Sequence, residues 1–394
     1  MVSECNCSSS KVFTRHPVWN RELLFIGGFL ARVAYELEMQ DVKARWDASV
    51  ASKPGEPLDS GLRRQLNDKA GHNLRFFTFR ESTPSPIVSS EIRSAFFDCV
   101  VQGQPFPVIS TAGIRSALDV RVCDPTLSVL LKKLPVFPEE LLDGSKLMIA
   151  ALQERGMLKD ITFGDVLEEL QGRLLSEEEM VACLRWWINA SHQDPTGIDD
   201  ARQQLLDVAH LSIDLLGNGD EQVVSLKGIQ TFLNLRNTAI PKDGPLPNHL
   251  LPIRISRRFN SAQLQKSLQW RELTALDWVR HLVEPAVYNQ GIEFNIIESP
   301  FWAEHVLQIL SRCWLALLEV DKTSIVELLK ELTCIPTSAG MKMPSEAYFS
   351  NASIFHDLPI VNLPSRVPIK GALKELLAGL GVQKHVGLEV IYNR

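Results

Sequence analysis

The chain has 394 residues, of which 45% are hydrophobic and 22% charged, and its formal net charge is −6. Such a composition excludes a disordered chain, which carries fewer apolar residues and a larger net charge. The acidic balance supplies no overall attraction to nucleic acid or to an anionic membrane.

At roughly 100–200 residues per domain, the length predicts two to three domains. The longest uncharged stretch near the start, Leu23 to Ala31, ends at Arg32. It falls short of the ~20 apolar residues that a spanning helix needs. The first dozen residues are polar and lack the apolar core of a signal peptide. Seven cysteines, none in C-x-x-C spacing, read as reduced thiols of an intracellular protein, cytoplasmic or nuclear.

Apolar residues at helical spacing predict a helix over 17–45, with Pro17 in its first turn and Gly27-Gly28 as a point of close packing or a kink. Pro54, Gly55, Pro57 and Gly61 mark 51–61 as a loop, and LRFFTF at 74–79 reads as a strand. The prolines at 84 and 86 then lead into a helix over 87–101. Short strands are expected at 107–110 and 119–122. Helices are expected at 139–156, 162–172 and 176–190, the last opened by a Ser176/Glu179 capping box. The strand candidates 211–216 and 223–226 flank a GNGD turn at 217–220 and form an expected hairpin. Four prolines within 237–252 mark a loop or seam. A helix over 373–380 and a strand over 385–392 close the chain, which ends so soon after an apolar element that a fragment of something longer is expected.

The expected fold is therefore α+β and helix-dominated. A mixed α/β module spans 1–135. An acidic helical module with a small hairpin spans 136–245. A helical, winged-helix-like module with a C-terminal strand segment spans 246–394. A faint repeat supports tandem modules, although amphipathic helices also resemble one another by chance. ITFGDVLEEL (161–170) and LTALDWVRHL (273–282) share an aliphatic residue, a Thr, an Asp and a Leu in register. KTSIVELLKEL (322–332) reads as a looser third copy, followed by a hairpin at Cys334–Lys342. In each, the Thr or Ser is the expected helix N-cap.

Signatures of chemistry are few. The chain has no phosphate-binding G-x-x-x-x-G-K-[ST], no G-x-G-x-x-G, no G-x-S-x-G elbow and no H-E-x-x-H. Three constellations remain. Arg15, His16, Trp19 and Arg21 lie before or within the first helix, where a polar cluster ordinarily caps or solvates it. His192, Gln193 and Asp194 stand beside Trp186-Trp187. They suit a turn before Pro195, or a metal ligand or base with its orienter. Arg254, Arg257, Arg258, Lys266, Arg271 and Arg280 make residues 251–282 basic, six cations against Glu272 and Asp277. The neighbouring stretch 160–222 is acidic, 14 carboxylates against 3 bases. The basic run fits pairing with that stretch across a seam, a protein partner, or phosphates.

Several long phrases belong together: WNRELLFIGGFLARVAYELEM (19–39), FFTFRESTPSPIVSSEIRSAFFDC (76–99), ISTAGIRSALDVRVCDP (109–125), LKGIQTFLNLRNTAIPKDGPLPNHLLP (226–252) and IPTSAGMKMPSEAYF (335–349). From about residue 17 onward the chain resembles the uncharacterised fungal proteins described as sacsin-like or histidine-kinase-like (GHKL) ATPases. The match is to the region after the ATPase domain. A D-x-G-x-G turn is absent and Gly217-Asn218-Gly219-Asp220 lacks the rest of a nucleotide site, so no nucleotide residue carries over.

The resemblance implies a non-catalytic interaction or relay region with protein partners, the ATPase domain or a client. No catalytic, cofactor-binding or metal residue and no cofactor is assigned. The alternative is a winged-helix nucleic-acid binder, which the net charge disfavours. An unrecognised enzyme is the third class. Trp186, Trp187, Trp270, Trp278, Trp302 and Trp314 are expected to anchor helix contacts.

Overall fold

The computed structural model describes residues 17–77, 79, 86–101, 103, 105–193, 198–214, 221–236, 238–242, 244–289, 291–350 and 358–386. The fold is helix-dominated α+β. Contacts divide it into two units. One comprises Met1–Trp186 with Val208–Ser212, and the other comprises Trp187–Asp207 with Ile213–Arg394.

The first unit opens with three helices, α1 (Pro17–Ser52), α2 (Ser60–Phe76) and α3 (Pro86–Asp98). A hairpin of β1 (Pro107–Ser110) and β2 (Gly113–Ser116) follows, then β3 (Arg121–Val122), the short α4 (Glu139–Leu142), α5 (Lys146–Glu154), β4 (Lys159–Asp160), α6 (Phe163–Leu170) and β5 (Leu174–Leu175). The helix α7 (Glu177–Gln193) begins here. It is followed by α8 (Ile198–Val208) and β6 (His210–Asp214), whose first residues His210 and Leu211 pair in parallel with β5.

The core of this unit is built by periodicity. Tyr35, Met39, Val42 and Trp46 of α1 and Leu66, Ala70 and Leu74 of α2 are all buried. They meet Phe96 and Phe97 of α3 and Val108 and Ile109 of β1. Gly28 belongs to the inner face of α1. A Cβ there would lie 2.5 Å from the Ile92 carbonyl oxygen and 2.6 Å from the Ala95 Cβ, so close helix packing explains this glycine. A Cβ at Gly27 would meet nothing.

The strand expected at 74–79 is not formed. Asp59 caps α2 by accepting the Leu62 N–H, and the 66/70/74 apolar face carries the helix on to Phe76. Helical periodicity over the whole segment outweighs the β-propensity of three aromatics at its end. Phe77 and Phe79 instead join a ring cluster around Phe96. Arg32 is buried in the same unit. It is held by Glu36 at 2.6 Å and by the Phe96 carbonyl at 3.1 Å, and it lies 4.1 Å from the Phe106 ring centroid.

The second unit continues with β7 (Glu221–Ser225), β8 (Thr231–Phe232), α9 (Ile253–Ser256), α10 (Ser261–Leu268), β9 (Arg271–Glu272), α11 (Ala275–Leu282) and α12 (Pro285–Tyr288). Next come α13 (Pro300–Cys313), α14 (Glu319–Leu329), the hairpin β10 (Ile335–Thr337) and β11 (Gly340–Lys342), and α15 (Gly371–Leu380). Strands β6 and β7 are neighbours, as the expected hairpin requires, while its GNGD turn lies outside the described residues. Residues 387–392 of the expected C-terminal strand also lie outside them. Helix α8 was not foreseen; its 198–208 sequence is too polar to stand out from the acidic surroundings.

The expected tryptophan anchors of this unit are buried. Trp187, Trp270, Trp278, Trp302 and Trp314 expose 8% or less. Trp186 is half-buried and stacks on Phe163 within the first unit. The Trp187 Nε1–H donates to the Ser267 carbonyl at 2.9 Å, and the Trp278 Nε1–H to the Pro245 carbonyl at 3.2 Å.

A repeat stronger than the sequence suggested emerges from the backbone. Three times, a central residue donates its N–H to one strand and accepts an N–H from the residue two further along that strand. Arg121 bonds Pro135 and Phe137 at 3.1 and 2.9 Å; Thr231 bonds His249 and Leu251 at 3.2 and 2.8 Å; Tyr348 bonds Pro359 and Val361 at 3.0 and 2.9 Å. Each central strand is flanked in parallel on its other side, at Lys159, Arg271 and Gln383 respectively. These three positions are equally spaced along the chain. Each is entered from a helix that ends on a left-handed residue, Gly156 (φ 66°), Gln269 (φ 58°) or Gly381 (φ 107°).

In the first two copies the flanking strand runs straight into a capped helix. Thr162 accepts the Asp165 N–H at 3.2 Å and Thr274 accepts the Asp277 N–H at 3.1 Å. Residues 161–170 and 273–282 are therefore equivalent. Residues 322–332 are not the third copy. Helix α14 begins at Glu319, and the Thr323 hydroxyl, inside the helix, donates to the Glu319 carbonyl at 2.8 Å. The third equivalent position is at Gln383.

Candidate functional site

Little of the chemistry singled out in the sequence comes together. Arg15, His16 and Asp194 lie outside the described residues, and Trp19 falls in the first turn of α1. Arg21 is tied to Glu91 at 2.7 Å. His192 Nδ1 lies 2.5 Å from the Ile188 carbonyl oxygen, so that nitrogen is a donor held within its own helix. Among the described residues no group of three or more His, Cys, Asp or Glu side chains is placed to hold a metal ion. Cys99, Cys123, Cys183, Cys313 and Cys334 are free thiols. Burial pushes Cys183 and Cys334 up to about 12, so both are neutral sulfhydryls and poor nucleophiles.

Five carboxylates of the acidic stretch have identified cations. Ion-pair partners of Asp165, Glu169, Glu179, Asp199 and Asp207 are Arg121, Arg173, Lys132, Arg202 and Lys227, all outside the basic run. Its most connected part is a buried clamp in the first unit. The Glu169 carboxylate accepts the backbone N–H groups of Lys132, Lys133 and Leu134 at 3.0 to 3.2 Å and an Arg173 guanidinium hydrogen at 2.5 Å. Glu179 receives the other arm of Arg173, the Lys132 ammonium at 2.5 Å and the Ser176 N–H at 2.8 Å. Burial alone would raise the Glu179 pKa. Lys132, Ser176 and Arg173 outweigh it and hold the group down at about 2. With so many donors converging on two carboxylates, this clamp fixes the 130–134 loop.

The basic run is dispersed over α9, the turn after it (Arg257 and Arg258), α10, β9 and α11. Arg280 bonds Asp277 at 3.5 Å. Arg257 of the run lines a cleft of about 550 Å³ in the second repeat. Its floor is Phe232, Leu233 and Leu264, all 2% exposed or less. Arg236, Asn234, Asn260 and Glu272 join Arg257 at the rim. The end of β8 presents Asn234, whose amide donates to Glu272 at 3.2 Å and whose oxygen accepts the Arg236 N–H at 3.3 Å. Asn260 caps α10, accepting the Ala262 N–H at 3.1 Å.

Two guanidinium groups against one engaged carboxylate give the cleft a positive rim over an apolar floor. It is of a size that holds small ligands, and its polar groups suit an anionic or amide-bearing group. Of its hydroxyls, Ser256 is engaged, donating to the Ile253 carbonyl at 3.3 Å. Sequence reading missed Arg236 and Asn234. The LNLR tetrapeptide carries no motif, and only folding brings it opposite Arg257.

Neither a curated protein nor a solved structure matches the chain. One family model does, over residues 15–394, and its description is "Protein of unknown function (DUF3684)". With nearly its whole length matched, the chain belongs to the DUF3684 family.

Proposed function

We propose that this chain is a non-catalytic interaction or relay region of a protein resembling the sacsin-like, histidine-kinase-like ATPases. It would couple an ATPase domain to a protein partner. The observation that carries this reading is the threefold backbone repeat. Repeated modules with a shared hydrogen-bonded frame and different surfaces are an architecture for presenting contacts along a chain. The frame repeats at Arg121, Thr231 and Tyr348, three residues of different charge and size. Buried carboxylates such as Glu169 and Glu179 are spent on holding loops, which suits a scaffold.

Native mass spectrometry of the chain purified at low salt from cells that express it tests this. A protein partner at fixed stoichiometry, together with ATP hydrolysis no faster than the buffer control, is the expected result. Turnover by the purified chain alone would overturn it. The winged-helix reading draws on the helix pair α13–α14 followed by the hairpin β10–β11. Retention on DNA or RNA that falls steeply with salt would favour that reading instead.

A further inference from the structure

Helix α1 carries two apolar faces. The inner one follows Gly28, Arg32, Tyr35, Met39, Val42 and Trp46, spaced alternately by four and three residues and buried in the first unit. At ~100° per residue, the opposite side holds Leu23, Ile26, Leu30, Val33 and Leu37, spaced alternately by three and four. Leu23, Ile26, Leu30 and Leu37 expose 59, 52, 59 and 59% of their surface. A surface helix ordinarily has one apolar stripe and a polar back. An alternation of three and four on a second face is the spacing of a coiled-coil seam.

We propose that this outer face is a homodimer seam, on which α1 of a second copy packs antiparallel, with Ile26 of one copy against Leu37 of the other and Leu30 against Val33. Three observations select this occupant. First, the pairing is self-complementary, because a two-fold axis between positions 31 and 32 generates each of these contacts twice. Second, the outward positions 23, 26, 27, 30, 33, 34 and 37 include no ionisable residue, so closing the face on itself buries no charge. Third, the seam puts Leu at one heptad position (23, 30, 37) and Ile or Val at the other (26, 33). In parallel coils that arrangement disfavours two strands, whereas the antiparallel pair sets Leu against the β-branched residue in the 26/37 and 30/33 layers, with Leu23 facing Gln40 at either end.

Gly27 and Ala34 beside the seam let the helices approach closely; a Cβ at Gly27 would meet nothing in the isolated chain. The uncovered side chains, with Phe29 on the flank, supply on the order of 500 Å² per copy at roughly 150–250 Å² for a full large side chain. A standard interface takes about 800 Å² per partner. The pair therefore belongs among the smaller interfaces.

Sedimentation equilibrium of the full chain between about 1 and 100 μM tests this. A monomer–dimer equilibrium is expected. Leu30→Lys or Val33→Glu alone should weaken it at least tenfold with an unchanged circular dichroism spectrum. Mixing the two variants should restore association, because positions 30 and 33 oppose each other only in the antiparallel pair. A chain that stays monomeric at 100 μM overturns the proposal. So does a dimer indifferent to Leu30→Lys, or a mixture of the two variants that fails to associate.

Discussion

Ser110 and Thr337 occupy the same place in two hairpins far apart in sequence. The Ser110 hydroxyl donates to the Gly113 carbonyl at 2.7 Å and accepts the Ala112 N–H at 3.1 Å. The Thr337 hydroxyl donates to the Gly340 carbonyl at 2.6 Å and accepts the Ala339 N–H at 3.2 Å. The next residue matches as well. Thr111 and Ser338 each donate the backbone N–H to one residue and accept that residue's N–H on the hydroxyl, Val136 for Thr111 and Ile360 for Ser338. Two adjacent hydroxyls thus close the turn and dock it on the neighbouring strand.

Because both turn hydroxyls are buried, Ser110→Ala and Thr337→Val should each destabilise the fold by about 1–3 kcal/mol, and Thr337→Ser by less. The glycines of the two turns share a left-handed backbone, φ 87° and 92°, yet they should differ on mutation. Gly340→Ala meets no neighbour and should cost the backbone penalty of about 1–2 kcal/mol. Gly113→Ala also places its Cβ 2.9 Å from the Trp46 ring and should cost measurably more. Urea denaturation of the five variants checks the order, and equal losses for the two glycines would contradict it.

The Glu169–Arg173–Glu179 clamp predicts an acid-sensitive element. Folding lowers the Glu179 pKa from 4.5 to about 2, against the pull of burial and because of Lys132, Ser176 and Arg173. A carboxylate with a depressed folded value stabilises the fold above its unfolded pKa and loses that contribution as the pH falls toward the folded one. At about 1.4 kcal/mol per pKa unit, roughly 3 kcal/mol should disappear between pH 5 and pH 2. Glu179→Gln should lower stability at pH 7 and flatten its slope across that window. An unaltered slope in urea titrations at pH 5, 4 and 3 would refute the assignment.

The helix caps show which parts of the repeat can be read from sequence. Thr162 and Thr274 stand in an aliphatic-Thr-x-x-Asp pattern, and the pattern works because the Thr and Asp answer each other locally. Thr323 has the same flavour of sequence but sits a turn inside α14. Thr162→Ala and Thr274→Ala should each cost about 1 kcal/mol. Thr323→Ala, on an exposed helical face, should be neutral or stabilising by a few tenths of a kcal/mol. Thermal melts of the three variants distinguish caps from interior positions.

Local signals of this kind were legible: helix starts, the hairpin within 334–342 and the Ser176/Glu179 box. The three parallel frames were not. Their strands are two residues long in the first two frames and single bridges in the third, too short for a period to register. Their equivalence lies in backbone bonds between Arg121, Thr231 or Tyr348 and residues well downstream. The Arg236–Arg257 cleft was hidden for the same reason, since neither residue has a motif and the loop joining them sets the distance.

Trp278 links core packing to the proline-rich segment. Its side chain is fully buried, and its Nε1–H donates to the Pro245 carbonyl at 3.2 Å. That bond is the only polar one the indole can make, and it holds a stretch whose prolines offer few N–H groups of their own. Trp278→Phe keeps most of the apolar volume but removes the donor and part of the ring. It should cost about 2–4 kcal/mol from the lost packing and the orphaned carbonyl. The loss should not be uniform: amide hydrogen exchange of residues 244–251 should speed up more than that of α13, which packs in the same core through Val306 and Leu310. Trp187→Phe removes the corresponding bond to Ser267 and should loosen α10 while leaving 244–251 protected. If both variants speed exchange equally everywhere, the two indoles act only as core volume and not as tethers for the segments they bond.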